Sequence, residues 1–236
     1  MPQRLDKMLA NAGVGTRSQV RMILRAGRVA VNGMAVRDGS VQVAPELDSI
    51  FVDGVQVAAR ERIVLMLNKP AGFISATEDS RDPTVMELIP KELCRRGLAP
   101  IGRLDKETEG LLLFTDDGAL AHVLLSPKSQ VSKRYYARHK GQATPADVQA
   151  FADGLVLQDG TQCLPARLEP MGPGESMITV WEGKYHQVRR MMAARGLQVL
   201  YLERQAEGAV TLDRLPRGQV RVLTPRECDA LLRSED

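Results

Sequence analysis

Five carboxylates, Asp105, Glu107, Glu109, Asp116 and Asp117, stand within the stretch GRLDKETEGLLLFTDDG that begins at Gly102. A carboxylate held in a dry cleft can act as a nucleophile, a general base or a counter-ion, and its neighbours decide which of the five is available. Leu111-Leu112-Leu113-Phe114 is a buried-strand run, and Asp116-Asp117-Gly118 is turn chemistry in which one aspartate is expected to cap the helix beginning near Ala119. Lys106, Glu107 and Glu109 read as solvated loop charges. Asp105 differs, because it follows Gly102-Arg103-Leu104 on the approach to a buried strand, where a rigid element can hold a loop side chain toward a cleft. On position alone such a residue is more often structural than catalytic.

The elements that must hold it are legible in outline. The chain has 236 residues and 44% hydrophobic content, enough for one large domain or two. No apolar run approaches the roughly 18 residues of a membrane span, and MPQRLDK lacks the apolar core of a signal peptide, which reads as cytoplasmic. Cys94, Cys163 and Cys228 are odd in number and far apart, so neither a disulfide framework nor a zinc site is expected. No metal or cofactor is expected.

Charge is unevenly placed. Residues 1–40 hold seven basic groups against two acids, a net +5, while the whole chain carries +3. A small basic end on a near-neutral body suggests a polyanion-binding attachment. Leu5, Met8, Leu9 and Ala12 have the spacing of a first short helix. Thr16-Arg17-Ser18-Gln19 forms a capping box for a second helix over about 17–26, with Gly27 as its stop. Arg17, Arg21 and Arg25 make one stripe on it with Arg28 just beyond, and Asn32-Gly33 is a hairpin turn between two short strands. An isolated arginine row is ordinarily a solvated helix face. Here two helices, the basic stripe and the VNG hairpin, closed by Ser49-Ile50-Phe51-Val52-Asp53-Gly54, together resemble the S4-like RNA-binding module over about residues 3–55.

A polar break at Ala58-Ala59-Arg60-Glu61-Arg62 precedes a second domain. Strands are expected near 63–68, 72–76, 110–115, 133–139, 155–158, 164–169 and 176–182, and helices near 83–89, 118–125, 145–152 and 185–195. Asp82-Pro83, Thr144-Pro145 and Thr224-Pro225 each pair a capping residue with a first-turn proline. The fold class is α+β, a mainly antiparallel or mixed sheet flanked by helices, with an S4-like RNA-binding domain at 1–58 and a catalytic domain at 61–236.

GRLDKETEGLLLFTDDG resembles the signature of the pseudouridine synthases, in the branch typified by RsuA. Leu67-Asn68-Lys69-Pro70-Ala71-Gly72, Lys133-Arg134-Tyr135-Tyr136-Ala137 and Glu182-Gly183-Lys184-Tyr185-His186-Gln187-Val188-Arg189-Arg190-Met191 match in the same order, and Leu202-Glu203-Arg204 and the segment 216–224 follow the pattern. The resemblance implies a sheet with a central cleft, Asp105 as the catalytic aspartate, Arg189 as its pairing cation and Tyr135 as the ring under a flipped base. It also implies site-specific conversion of uridine to pseudouridine in ribosomal RNA without a cofactor. That reaction breaks the bond from ribose to ring nitrogen, turns the uracil and joins carbon 5 to the sugar. One carboxylate suffices, as nucleophile toward sugar or base or as base in an elimination, and the residues leave these routes open. Lys69 is expected to shape the cleft wall or meet phosphate, and His186 to be a structural residue beside a helix. The RNA-contacting cations are Arg4, Lys7, Arg17, Arg21, Arg25, Arg28, Lys69, Arg103 and Lys133. The expected partner is 16S rRNA or a small-subunit assembly intermediate, met by a monomer with no membrane contact. Large-subunit (23S) synthases of the same branch and a non-catalytic RNA-binding assembly factor are the alternatives. The short ending at Leu232-Arg233-Ser234-Glu235-Asp236 tilts the expectation to the small subunit.

Overall fold

Leu5, Met8 and Leu9 turn inward from α1 (Leu5–Asn11), as their spacing requires, and meet Val20 and Leu24 of α2 (Arg17–Arg25). These contacts come from a computed structural model that describes residues 2–44, 47–57, 63–126 and 129–231. The polar break at 58–62 and the final stretch 232–236 lie outside the described residues. By contact density the chain divides into two units, Met1–Arg62 and Ile63–Asp236.

In the first unit the capping box forms as expected: Gln19 N donates to Thr16 Oγ1 at 3.2 Å and Thr16 N to Gln19 Oε1 at 2.8 Å. Such caps contribute about 1 kcal/mol. Gly27, at φ +70°, ends the helix. A two-stranded pair, β1 (Gln3–Arg4) with β4 (Gln42–Val43), flanks a sheet of β2 (Val29–Val31), β3 (Met34–Ala35), β5 (Ile50–Val52) and β6 (Val55–Gln56) in the order β3-β2-β5-β6. Asn32 and Gly33 both have positive φ, at 50° and 80°, the mirror-image turn that fits strand twist in a two-residue hairpin.

The second unit is built on a nine-stranded sheet. Its main path is β11 (Arg167–Gly172), β12 (Glu175–Val180), β10 (Lys133–Lys140), β13 (Gln198–Glu207), β9 (Glu109–Thr115), β7 (Val64–Lys69) and β15 (Val220–Val222), with β8 (Ala99–Ile101) beside β9 and β14 (Val210–Thr211) beside β13. The central strands β7 and β9 are buried throughout because both sheet faces are covered. Leu65, Leu67, Leu112 and Phe114 enter one apolar layer, and Val64, Met66, Leu111 and Leu113 enter the other. A continuous apolar run, rather than an alternating one, is the consequence. The first layer also takes in Phe151 of α4 (Pro145–Asp153) and Val188, Met191 and Met192 of α5 (Gln187–Ala194). The second takes in Leu124 of α3 (Gly118–Leu125) and lies under α6 (Pro225–Ala230). No helix among the described residues is long and apolar enough to cross a membrane.

Several expectations shift. The segments near 72–76 and 155–158 contribute only isolated bridges, Ile74 to Thr84 and Val156 to Gln162. The 83–89 helix is a single 3-10 turn over Val85–Leu88, capped by Thr84 through Glu87 rather than begun at Asp82-Pro83. The ten-residue strand β13 is absent from the sequence reading, as are β8, β14 and β15. β13 matters most, because its parallel pairing with β9 (Glu203 with Glu109, Arg204 with Gly110) joins the two halves of the sheet at its middle. Gly110 permits that junction. It sits at φ +98°, and a Cβ there would fall 2.2 Å from Arg204 O, a backbone atom that cannot step aside. Gly110→Ala is therefore expected to cost about 3 kcal/mol or more, from left-handed strain plus the clash, read as a large drop in melting temperature.

Candidate active site

The loop carrying Asp105 enters β9 at that mid-sheet junction, and it is fastened from outside. Lys69, the last residue of β7, is completely buried, and its Nζ donates to four backbone carbonyls: Pro70 (3.1 Å), Asp105 (3.2 Å), Lys106 (3.1 Å) and Thr108 (2.8 Å). The following turn adds Gly72 N to Lys106 O at 2.9 Å. Ser75 Oγ both accepts from Leu104 N at 3.0 Å and donates to Leu104 O at 2.9 Å. The backbone on each side of Asp105 is thus fixed while its own side chain stays one-third exposed toward a cavity of about 700 Å³. Loops that present chemistry on rigid supports are built this way.

This geometry corrects the phosphate role considered for Lys69. An ammonium with no exposed surface and every N–H engaged by carbonyls has nothing left for RNA. Burial also pushes it down to about 8, against the pull of Glu107, Glu109 and Asp105. Glu109 is corrected too. As the first residue of β9 it is buried, accepts from Tyr201 Oη at 2.9 Å and pairs with Arg217 at 2.7 Å, so it is a structural junction and not a solvated loop charge. Lys106 and Glu107 are exposed as expected, Lys106 on Asp82 at 2.7 Å. Asp117 caps α3 by accepting from Ala119 N at 2.9 Å, and Asp116 accepts from Ile63 N at 3.2 Å. Four of the five carboxylates are accounted for by exposure or by a structural bond, and Asp105 alone faces the cavity.

Across the cavity stands the segment between β12 and α5. Glu182 ties it together, accepting from Leu164 N and Gln187 Nε2 at 2.8 Å each and pairing with Lys184 at 2.6 Å. His186 follows with a left-handed backbone, φ 49° and ψ 32°, immediately before α5. His186 Nε2 comes to 3.4 Å from Asp105 Oδ1, and its other face carries the Tyr185 ring, stacked at 3.9 Å between centroids and 17° between planes. The side chain read as a structural neighbour of a helix is therefore, among the described residues, the basic group paired with the Asp105 carboxylate. Arg189 lines the same cavity, but its Nη2 reaches Glu107 O at 3.5 Å, so the contact expected between Arg189 and Asp105 is taken by His186.

The floor is β10 and β13. Tyr135 is buried and lies opposite Arg204, which donates from Nε to Leu111 O at 2.7 Å and pairs through Nη2 with Glu207 at 3.2 Å. Burial pushes the Tyr135 phenol up, with Arg204 pulling the other way. Lys133 is half-buried on the same floor, donates to Val131 O at 3.1 Å and is pushed down by burial. Arg103 is exposed and also lines the cavity. Neither Arg204 nor Glu207 was singled out as a site residue from the sequence. The signal was present in a charged pair inside the stretch LYLERQAEG, but without β13 there was no reason to bury it. Among the described residues no group of three or more His, Cys, Asp or Glu is placed to hold a metal.

The remaining cations lie in the first unit. Arg17, Arg21 and Arg25 are exposed along α2, with Arg21 at 3.9 Å from Asp6, and Lys7 is half-buried. Arg4 is held by Asp6 through two hydrogen bonds of 3.0 and 2.8 Å, and Arg28 is clasped by both oxygens of Asp53. These two are less available to phosphate than the stripe.

Comparison with known proteins finds matches across both units. The family model described as RNA pseudouridylate synthase matches residues 63–194, and the S4 domain model matches residues 3–48. An uncharacterized RNA pseudouridine synthase of Bacillus subtilis, YtzG, is 44% identical, with 97% of this chain and 98% of the relative covered. Ribosomal small subunit pseudouridine synthase A of Vibrio parahaemolyticus is 39% identical over 97% and 99% of the two chains. Ribosomal large subunit pseudouridine synthase B of Bacillus subtilis is 35% identical over 97% and 95%. A crystal structure of a pseudouridylate synthase superposes with a TM-score of 0.69 at 37% identity, covering 97% of this chain and 99% of the other.

Proposed function

The chain belongs to the RNA pseudouridylate synthase family, and from that premise we propose that it converts one uridine of 16S ribosomal RNA to pseudouridine with Asp105 as the catalytic carboxylate. The observation that carries this reading is Asp105, the one carboxylate of its loop that lines the cavity, on a backbone clamped by Lys69 and above a floor formed by Tyr135. Uracil leaves C1′, turns and rejoins it through carbon 5, so the group that attends C1′ must hold its position through both half-reactions. Fixed backbone at Leu104, Asp105 and Lys106 supplies that constancy. Asp105 acts as nucleophile or as base, His186 orients it, and Arg189 steadies the loop through Glu107 O. Tyr135 stacks under the flipped base and relays the proton leaving carbon 5, its phenol oxygen accepting that proton as its own hydroxyl proton passes on.

Extracting a uridine from folded RNA costs a few kcal/mol, and stacking on one ring returns roughly 1–3 kcal/mol. Phosphate contacts supply the rest. Residues 1–58 serve as the affinity element and residues 61–236 as the catalytic body, with Arg17, Arg21 and Arg25 as the main phosphate ligands in the first and Arg103 and Lys133 in the second. Replacing Arg17, Arg21 and Arg25 together with Gln is expected to weaken rRNA binding and make its logarithmic salt slope shallower by roughly 2–3, with turnover of saturated enzyme unchanged. An unaltered slope counts against the stripe as the docking surface.

The small-subunit assignment is supported by the somewhat greater identity to synthase A relatives, 36% to 39% against 35% for the large-subunit synthase B. The test is a map of pseudouridine across rRNA from cells lacking this protein, expected to lose one small-subunit position. Loss of a large-subunit position moves the target to 23S rRNA. Tight rRNA binding with no tritium release from any rRNA labelled at carbon 5 of uridine replaces the enzyme by a non-catalytic assembly factor.

A further inference from the structure

Arg204 and Glu207 form an ion pair with only 2% of each side chain exposed, at the floor of the cavity and beside no step of the chemistry just described. In a regular strand residues three apart face opposite sides of the sheet. Here they meet because the pairing of β10 with β13 shifts register between Arg134 and Tyr135: Arg134 opposes Ala206, Tyr135 opposes Arg204, and Gln205 is the extra residue. That bulge returns Arg204 to the face shared by Tyr135 and Lys133, while Glu207 stands opposite Lys133. Bulges of this kind re-aim a side chain next to an active site. The guanidinium also donates through Nε to Leu111 O at 2.7 Å, and the backbone of Arg204 is packed closely against Gly110.

We propose that the bulged Arg204–Glu207 pair is a positioning device for Tyr135, fixing the phenol at the cavity floor so that it meets the flipped base in one orientation. A buried ion pair is weak evidence for stability, since apolar residues of similar size often replace one at no loss. A pair kept at this cost, on a bulge, against the one ring expected to touch the base, is better explained by orientation. Arg204 acts on Tyr135 electrostatically as well as sterically, since each perturbs the ionisation of the other.

This rests on Tyr135 serving the reaction. The experiment uses the full chain, with 3-fluorotyrosine placed at 135, in wild type, Arg204→Lys, and the paired variant Arg204→Met with Glu207→Met, which leaves no lone buried charge. Melting, tritium release from rRNA labelled at carbon 5 of uridine, and the fluorine resonance are measured for each. The paired variant is expected to fold, to lose kcat by about 30-fold with KM for rRNA within about 2-fold, and to replace one narrow fluorine line by broad or multiple lines. Arg204→Lys is expected to recover part of both. An unchanged kcat, a loss confined to KM, lost activity under an unchanged fluorine line, or failure of both variants to fold each overturns the proposal. A wild type that releases no tritium removes the underlying reading of the site instead.

Discussion

Asp105→Asn is expected to fold, to bind ribosomal RNA as tightly as wild type, and to release almost no tritium from rRNA labelled at carbon 5 of uridine. The amide is nearly isosteric, and its oxygen can keep the place 3.4 Å from His186 Nε2 where Asp105 Oδ1 now stands. The clamp on the loop uses the backbone of residues 104–108 and not the Asp105 side chain, so its support is untouched. What disappears is a charged oxygen able to attack or to take a proton, and the rate should fall by 10²–10⁴-fold or about that order. The neighbours give the contrast. Glu107→Gln, on an exposed side chain, should turn over normally. Glu109→Gln keeps an acceptor for Tyr201 but loses the charge facing Arg217, so it should lower the melting temperature more than the rate. Robust release by Asp105→Asn would falsify the assignment.

The contrast between Asp105 and Glu109 also shows where the sequence stopped speaking. Local signals were enough for the capping box at Thr16, the Asn32-Gly33 turn, the cap at Asp117 and the apolar runs of β7 and β9, because each is decided within a few residues. Asp105 was legible because its family motif is local as well. The burial of Glu109, the loop clamp of Lys69 and the approach of His186 to Asp105 escaped the sequence for one reason: these roles are set by partners 36 to 108 positions away, at Asp105, Tyr201 and Arg217. Lysine and glutamate are rarely buried without a partner, and one chain without its pairings displays no partner. The missed β13 follows from the same cause. Its stretch QVLYLERQAE alternates imperfectly because the bulge at Gln205 breaks the two-residue period, and the break that hid the strand is the feature that brings Arg204 to Tyr135.

Lys69→Met should be the most damaging change outside the cavity. A methionine fills the volume but donates nothing, so the carbonyls of Pro70, Asp105, Lys106 and Thr108 lose their shared donor, at about 1–3 kcal/mol for each that stays buried and unpaired. The loop is then free to drift, and a displacement near 1 Å at Asp105 costs on the order of 100-fold in rate. A pH profile separates this role from plain scaffolding. Burial sets the folded value of Lys69 at about 8, below its ordinary 10.5, so between those limits the unfolded chain holds a proton that the folded chain has released. By linkage its contribution to stability rises with pH across that window, since the cost of burying the charge is relieved. Its grip on the loop moves the opposite way, because a neutral amine has two N–H donors for the four carbonyls where the ammonium has three. Turnover should therefore decline above about pH 8 while the melting temperature shows no matching loss from this group, and in Lys69→Met the residual activity should lack that alkaline step. A wild-type rate that stays level from pH 7 to about 10, or one that falls only in parallel with melting, would show that the four-carbonyl clamp does not control the placement of Asp105.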